Sequence, residues 1–252
     1  MATTFKNFLS NDIANTRTLL HEAIPITGSI ISGTYGYKVN AIGTEGNVKT
    51  YGHGIFESVY DYPYLSSSAN HIFDMTVGYA NSSALSNSAN SQNTKKINIY
   101  NQMAQYLNGY DETGSIKTFI EPQNNVEMKE CFFVPFSRLL TKDEIKKGTF
   151  SIELGVSSSY SQYTSDIGVN IFNRRVKIFD QSGSNGYHVD SPAGEYGILY
   201  ATTSMGSTFA TDGTNGYVKG EVLGSVATNP PAGLIYYQAG IMVITGSVFA
   251  KS

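Results

Sequence analysis

The stretch ECFFVPFSRLLTKDEIKKGTFSIELG, residues 130–155, decides the fold class because it holds two strand patterns and the turn between them. Its first apolar run, 131–134, predicts a buried strand that stops at Pro135, since proline has no amide hydrogen to donate to a central ladder. Residues 150–155 then alternate between large apolar and small or polar side chains, which is the period of a half-buried strand. The stretch therefore predicts two strands of a β-rich core.

The turn between these strands predicts a short helix over residues 141–147. Thr141 and Glu144 have the spacing of a capping box, in which the threonine hydroxyl accepts from the Glu144 amide and the carboxylate reaches back. Gly148 follows at the place where a left-handed residue commonly ends a helix. This segment carries no reactive pattern and is interpreted as scaffold.

One longer helix is predicted over residues 95–107. Its apolar side chains recur at helical spacing, and Gly109 stands where a C-terminal cap is expected. The apolar positions of this helix are Ile97, Tyr100, Met103, Ala104 and Leu107. Further strands are predicted at 71–79, 116–120, 166–180, 195–203 and 217–226.

These patterns predict a mainly β fold with sandwich-like antiparallel sheets and one or two short helices, 95–107 and 141–147. Residues 1–32 are interpreted as an N-terminal arm or extended segment. Residues 33–252 are interpreted as a single β-rich domain. Serine and asparagine dominate residues 80–94, which predicts a long exposed loop within that domain.

The uncharged segment 222–250 is long enough to cross a bilayer. Pro230 and Pro231 interrupt it, however, and Tyr236 lies near its centre with further polar residues. Residues 234–245 instead favour a buried β-hairpin with a short glycine-containing turn. We therefore expect no membrane contact.

Charged residues make up only 15% of the chain, against roughly a quarter in an average domain. Such a surface is typical of large interfaces, because a hydroxyl or amide is easier to desolvate than a charge. With a net charge of −3 and no basic stripe, we expect no nucleic-acid partner. Cys131 is alone and is predicted to be a buried core residue. The N-terminus lacks a secretory pattern, so synthesis in a cytoplasm is expected.

The residues that commonly carry chemistry are few and scattered. Four histidines occur, and the pairs His188 with Asp190 and His71 with Asp74 are the nearest approach to a site. A metal centre would need a third ligand brought in by the fold. No nucleophile elbow, metalloprotease helix, calcium loop or phosphate-binding loop is present. We therefore expect no catalytic residues, no metal, no cofactor and no enzymatic activity.

Tyrosine is the unusual residue, with 18 copies. Loop tyrosines such as Tyr160 and Tyr163 favour either a carbohydrate- or receptor-binding face or a set of protein–protein contacts. The low charge of the chain favours protein contacts.

The candidate interface positions share an apolar, aromatic or long basic side chain in a segment expected to lie outside the core. They are Phe5, Phe8 and Leu9 in the arm, Lys142 and Lys146 on the turn, Tyr160 and Tyr163 in a loop, and Arg174 and Arg175 on a strand. The arm either lies on a neighbouring subunit or docks as a strand on its own domain. The basic residues either face solvent or contact a neighbouring subunit.

Five segments, in order, resemble proteins encoded by tailed bacteriophages, particularly marine myovirus-like phages. They are HIFDMTVGY (71–79), KKINIYNQMAQYL (95–107), the opening stretch (130–155), SPAGEYGILYA (191–201) and GLIYYQAGIMVIT (233–245). The resemblance covers roughly residues 71–245 and has no catalytic residues to carry over.

The resemblance implies a virion structural protein that assembles as a homo-oligomer in the tail, baseplate or neck, with copies of itself and other virion proteins as partners. It would be made in the host cytoplasm and located in the virion. The alternatives are a capsid decoration protein and a receptor- or glycan-binding module that uses the tyrosine-rich loops, with a host-surface glycan as partner.

Overall fold

The computed structural model describes residues 48–61, 64–65, 67, 69–87, 92–123, 125–138, 143–156, 174–181, 186–203 and 230–249. The strands in these ranges are β1 Val48–Thr50, β2 Phe56–Tyr60, β3 His71–Tyr79, β4 Ile120–Glu121, β5 Val126–Glu127, β6 Glu130–Pro135, β7 Ser151–Val156, β8 Arg174–Asp180, β9 His188–Ser191, β10 Gly194–Thr203, β11 Pro231–Tyr236 and β12 Ile241–Thr245. The helices are α1 Asn93–Leu107 and two single 3-10 turns, Ala84–Asn87 and Gly246–Phe249.

One large antiparallel sheet organises these ranges. Its strand order is β1-β2-β3-β6-β12-β11-β10-β8-β7, and β9 also pairs with β10. Strands β4 and β5 form a separate two-stranded ribbon. The predicted fold class, mainly β with antiparallel sheets, is confirmed.

The middle of this sheet is covered on both faces. Along β6 and β12, successive side chains enter two different hydrophobic cores. The inner core contains Val134, Met242 and Ile244, whereas the helix-side core contains Phe133 and Val243. Antiparallel strands with one solvent-exposed face usually alternate between apolar and polar residues. Covering both faces explains why residues 241–244 are continuously apolar.

The inner core forms because the sheet curls. Phe136, just after β6, contacts Phe73 of β3 and Phe150 before β7, with ring centroids 6.0 and 5.4 Å apart. Residues near β3 and β7 therefore share a core although five strands separate those two in the sheet order. The curl gives the sandwich-like packing.

The helix α1 covers the other face. Tyr100 projects into the helix-side core, where its hydroxyl donates to the Met128 carbonyl (2.9 Å) and accepts from the Phe119 amide (3.1 Å). The predicted helix over 95–107 is confirmed. Gly109 follows it with φ +74°, and its amide donates to the Ala104 carbonyl, as a C-terminal cap requires.

The opening stretch is confirmed in its strands and corrected in its turn. Pro135 is the last residue of β6, a central strand, and Gly148 has φ +74°. Residues 143–147, however, do not form the predicted helix. The Ile145 amide instead donates to the Tyr237 carbonyl (2.9 Å), and the Ile145 side chain is fully buried. Burial of this isoleucine in the inner core outweighs the local helical signal.

Of three further predicted segments, one is confirmed and two differ from the prediction. The hairpin of β11 and β12 is confirmed, and all residues of both strands are buried. The loop prediction for 80–94 is partly wrong, because Ala80 and Ser83 are buried and α1 already starts at Asn93. The predicted strand 116–120 shortens to β4, preceded by a single bridge at Ile116.

Several predicted segments lie outside the described residues. They are the arm 1–32, residues 166–173 of the predicted long strand, and the predicted strand 217–226. Cys131 is buried as predicted. None of the helices in the described ranges is both long and apolar enough to cross a bilayer.

Replacing Gly78 with alanine tests the packing of α1 on β3. A Cβ at Gly78 would lie 2.8 Å from the Tyr100 amide nitrogen and 3.0 Å from the Lys96 carbonyl oxygen, both backbone atoms of α1. We expect Gly78→Ala to lower the free energy of unfolding in urea by about 1–3 kcal/mol through overpacking. The control Gly52→Ala meets nothing within 4 Å and should change it by less than about 0.5 kcal/mol. Equal stabilities for the two variants would contradict this packing.

Candidate functional site

A buried aspartate fastens the turn after β6 to the sheet. Asp180, at the end of β8, accepts hydrogen bonds from the Tyr237 hydroxyl (2.8 Å) and the Gly148 amide (2.7 Å). Lys147, beside it on the turn, forms an ion pair with Glu195 (2.6 Å). These groups bind residues 147–148 to β8 and β10.

A second group involves the His188–Asp190 pair singled out in the sequence. The Tyr196 hydroxyl donates to Asp190 (2.9 Å), and the Tyr196 ring stacks on both His188 and Tyr236, with centroids 5.1 and 5.2 Å away. The Tyr236 hydroxyl in turn donates to the Asn108 side-chain oxygen (2.6 Å). The pair thus supports an aromatic stack that joins β9, β10 and β11 to the end of α1.

Burial controls the ionisation of these tyrosines. Burial raises the pKa of Tyr237, and its hydrogen bond to Asp180 raises that pKa further. Burial and the hydrogen bond to Asp190 also raise the pKa of Tyr196. Burial likewise raises the pKa of Tyr100 and of Tyr236. All four therefore remain neutral hydrogen-bond donors in the folded protein.

The third group lies toward the outer end of the sheet and is partly exposed. Asp74 of β3 uses one carboxylate oxygen, Oδ1, to accept from the Ser58 hydroxyl (2.5 Å) and from His71 Nε2 (2.9 Å). The Ser58 oxygen lies 3.3 Å from the Tyr51 hydroxyl, and Tyr51 is hydrogen-bonded to Tyr60. We call Tyr51, Ser58, Tyr60, His71 and Asp74 the Asp74 cluster.

The Asp74 cluster does not have the geometry of a nucleophilic triad. In a triad the histidine lies between serine and aspartate and removes the serine proton. Here Asp74 lies between the other two, and the Ser58 hydroxyl donates to the carboxylate. Ser58 is also buried. The cluster orients a carboxylate rather than activating a hydroxyl.

Aromatic rings border the cluster. Tyr51, His53 and Phe56 pack together at the β1–β2 turn, with ring centroids 4.9–5.3 Å apart. The Lys49 ammonium lies 4.9 Å from the centroid of Tyr51 and 6.0 Å from that of Tyr64. The hydroxyl and the ring of Tyr51 and the ring of Tyr64 therefore have intramolecular contacts.

An open groove of about 230 Å³ adjoins the cluster, between the sheet and α1. Its sheet side includes Phe56, Asp74 and Thr76, and its helix side consists of Ile99, Gln102 and Met103. Asp74, with its side chain 34% exposed, belongs to both the cluster and the groove. Most of the groove lining is apolar, and this carboxylate supplies its charge.

In the described ranges, no group of three or more histidine, cysteine, aspartate or glutamate side chains is placed to hold a metal ion. The Asp74 cluster contributes two such residues and the His188 group contributes two. We therefore derive no metal chemistry for either group.

The candidate interface positions are only partly described. Lys146 is exposed on the turn after β6, and Arg174 and Arg175 begin β8, where they pair with Val156 and Gly155 of the outermost strand β7. The remaining positions lie outside the described residues: Phe5, Phe8, Leu9, Lys142, Tyr160 and Tyr163. The structure does not bring Lys146 or the two arginines to the Asp74 cluster.

Comparison with known proteins identifies no relative. No protein-family model matches the chain, and no curated protein or solved structure is detectably similar to it.

The buried tyrosines predict that alkaline pH destabilises the fold. Their folded-state pKa values lie above the ordinary value of 10.0, so the unfolded chain releases these protons first as the pH rises. The stabilisation is complete below about pH 10 and declines above it. Urea unfolding measured between pH 7 and 11.5 should show a falling free energy above about pH 10. A constant value up to pH 11.5, with tyrosinate absorbance appearing in the folded state, would contradict this.

Proposed function

We propose that the chain is a non-enzymatic structural component of a tailed-bacteriophage particle. It would assemble as a homo-oligomer in the tail, baseplate or neck, with other virion proteins as further partners. The five segments that resemble phage proteins correspond to β3, to most of α1, to β6 through most of β7, to most of β10 with the turn before it, and to the hairpin of β11 and β12. The resemblance therefore falls on the scaffold of the sheet, which supports a structural role.

The observation that carries this proposal is the use of the carboxylates. Asp180 binds Tyr237, 57 residues away in the chain, and Asp190 binds Tyr196 on the neighbouring strand β10. The turn that carries Lys146 is held by Ile145 and Asp180, so it can present a fixed surface to a neighbour. The mechanism would be geometric, with a rigid β core that fixes the position of neighbouring subunits.

Two alternatives differ in location or partner. A capsid decoration protein would use the same scaffold at a different place in the particle. A receptor- or glycan-binding module would use the tyrosine-rich loops. The contact of Tyr64 with Tyr60 of the Asp74 cluster, with ring centroids 6.3 Å apart, favours this second alternative.

Assembly is tested on the purified full chain and on virions of the phage that encodes it. Sedimentation velocity should show a discrete homo-oligomer at micromolar concentration, and mass spectrometry should find the protein in purified virions at many copies per particle. A host cytosolic protein measured in the same virions is the control for contamination. A stable monomer that is absent from the particles would refute the proposal.

A further inference from the structure

The groove between β3 and α1 has apolar walls and a single charge. Ile99 and Met103 of α1 and Phe56 of β2 supply the apolar surface. Asp74 supplies the charge, and none of the residues that line the groove is a lysine, arginine or histidine. An occupant with an apolar stem for the walls and a positive charge for the carboxylate complements this lining.

The hydrogen bonds of the polar lining residues favour the same kind of occupant. Ser58 and His71 both donate to Asp74 Oδ1, whereas Oδ2 accepts no hydrogen bond from a described residue. Thr76 also lines the groove, and its hydroxyl donates its proton to the Ile55 carbonyl (2.5 Å). It can offer only lone pairs to an occupant. The polar atoms of Asp74 and Thr76 are thus acceptors that require a donor.

A primary ammonium meets these requirements. It carries three donors and no acceptor, and a neighbouring aromatic ring such as Phe56 also favours a cation. A guanidinium fits less well, because its paired hydrogen bonds need two carboxylate oxygens and Oδ1 already has two donors. An anion is excluded by the charge of Asp74.

The size of the groove indicates the source of the ammonium. Its volume of about 230 Å³ is below the roughly 300–1,000 Å³ of ordinary small-molecule sites. It has room for one side chain. Lysine has the required form, with an aliphatic stem that covers apolar surface and an ammonium at its tip.

We propose that this groove binds a lysine side chain of another protein chain, with its ammonium at Asp74 Oδ2 and its stem against Ile99 and Met103. Ser58 and His71 act as positioning residues, because both donate to Oδ1 and leave Oδ2 without a hydrogen bond from a described residue. The proposal does not depend on the phage assignment, since it concerns a site on the isolated protein.

The test is a titration of the full chain followed by two-dimensional amide NMR. The probes are the peptide acetyl-Gly-Lys-Gly-amide, the same peptide with an Nε-acetylated lysine, and n-butylamine. We expect the lysine peptide to shift the amides of β3 and α1 with a millimolar Kd. The acetylated peptide should cause no shift, because it has lost the charge. The peptide should bind at least as tightly as n-butylamine.

Three variants make the test specific. Asp74→Asn keeps an acceptor for Ser58 and should weaken peptide binding about tenfold or more. Gln102→Lys, at an exposed position, places an ammonium of the chain itself at the groove and should abolish binding while the protein stays folded. Glu112→Gln removes the same charge at an exposed site outside the groove and should leave the Kd unchanged.

Three results would overturn the proposal. The first is the absence of localised shifts with the lysine peptide. The second is equal binding of the acetylated peptide or of the Asp74→Asn variant. The third is tighter binding of n-butylamine than of the peptide, which would assign the groove to a small amine instead of a protein side chain.

Discussion

The burial of both faces of the central strands is the constraint on which the rest of the structure depends. Strands β6, β12, β11 and β10 send alternate side chains into the inner core and the helix-side core. Strands β11 and β12 are buried along their whole length, which leaves no position where a charged residue can reach water. This burial explains why these two strands carry no charged residue.

Double burial also determines where the polar groups lie. A tyrosine can enter such a core only if its hydroxyl finds a partner. Tyr100 uses backbone groups of the segment 119–128, Tyr236 uses Asn108, and Tyr237 uses Asp180. Each bond also connects two segments that are distant in the chain. The abundance of tyrosine is therefore in part a structural property of the core.

The faces of the sheet are less fully covered toward β2 and β3, where the Asp74 cluster lies. Asp74 remains one-third exposed, whereas Asp180, deeper in the sheet, is almost fully buried. The buried carboxylate connects segments of the fold, whereas the exposed one borders the groove. The same residue type thus has a structural role in one place and, in our proposal, binds an ammonium in the other.

The sequence predicts the elements better than their assembly. A continuous apolar run was sufficient for β6, period-two alternation for β7, and apolar runs around a glycine-containing turn for the hairpin of β11 and β12. Local capping signals favoured a helix over 141–147, but the burial of Ile145 is a tertiary effect that no local pattern carries. The residues of the Asp74 cluster come from β2, β3 and the β1–β2 turn. The cluster can therefore be predicted only if the register of these strands is known. The spacing of His71 and Asp74 was its sole sequence signal.

Hydrogen exchange of the backbone amides tests the doubly buried sheet most directly. If β11 and β12 are the centre of the structure, their amides should exchange only through global unfolding, with a free energy of exchange equal to that of urea unfolding. The outer strands β1 and β2 should exchange faster, through local opening. The account would be contradicted if the amides of β11 and β12 exchanged as fast as those of β1. It would also be contradicted if their free energy of exchange were well below the free energy of global unfolding.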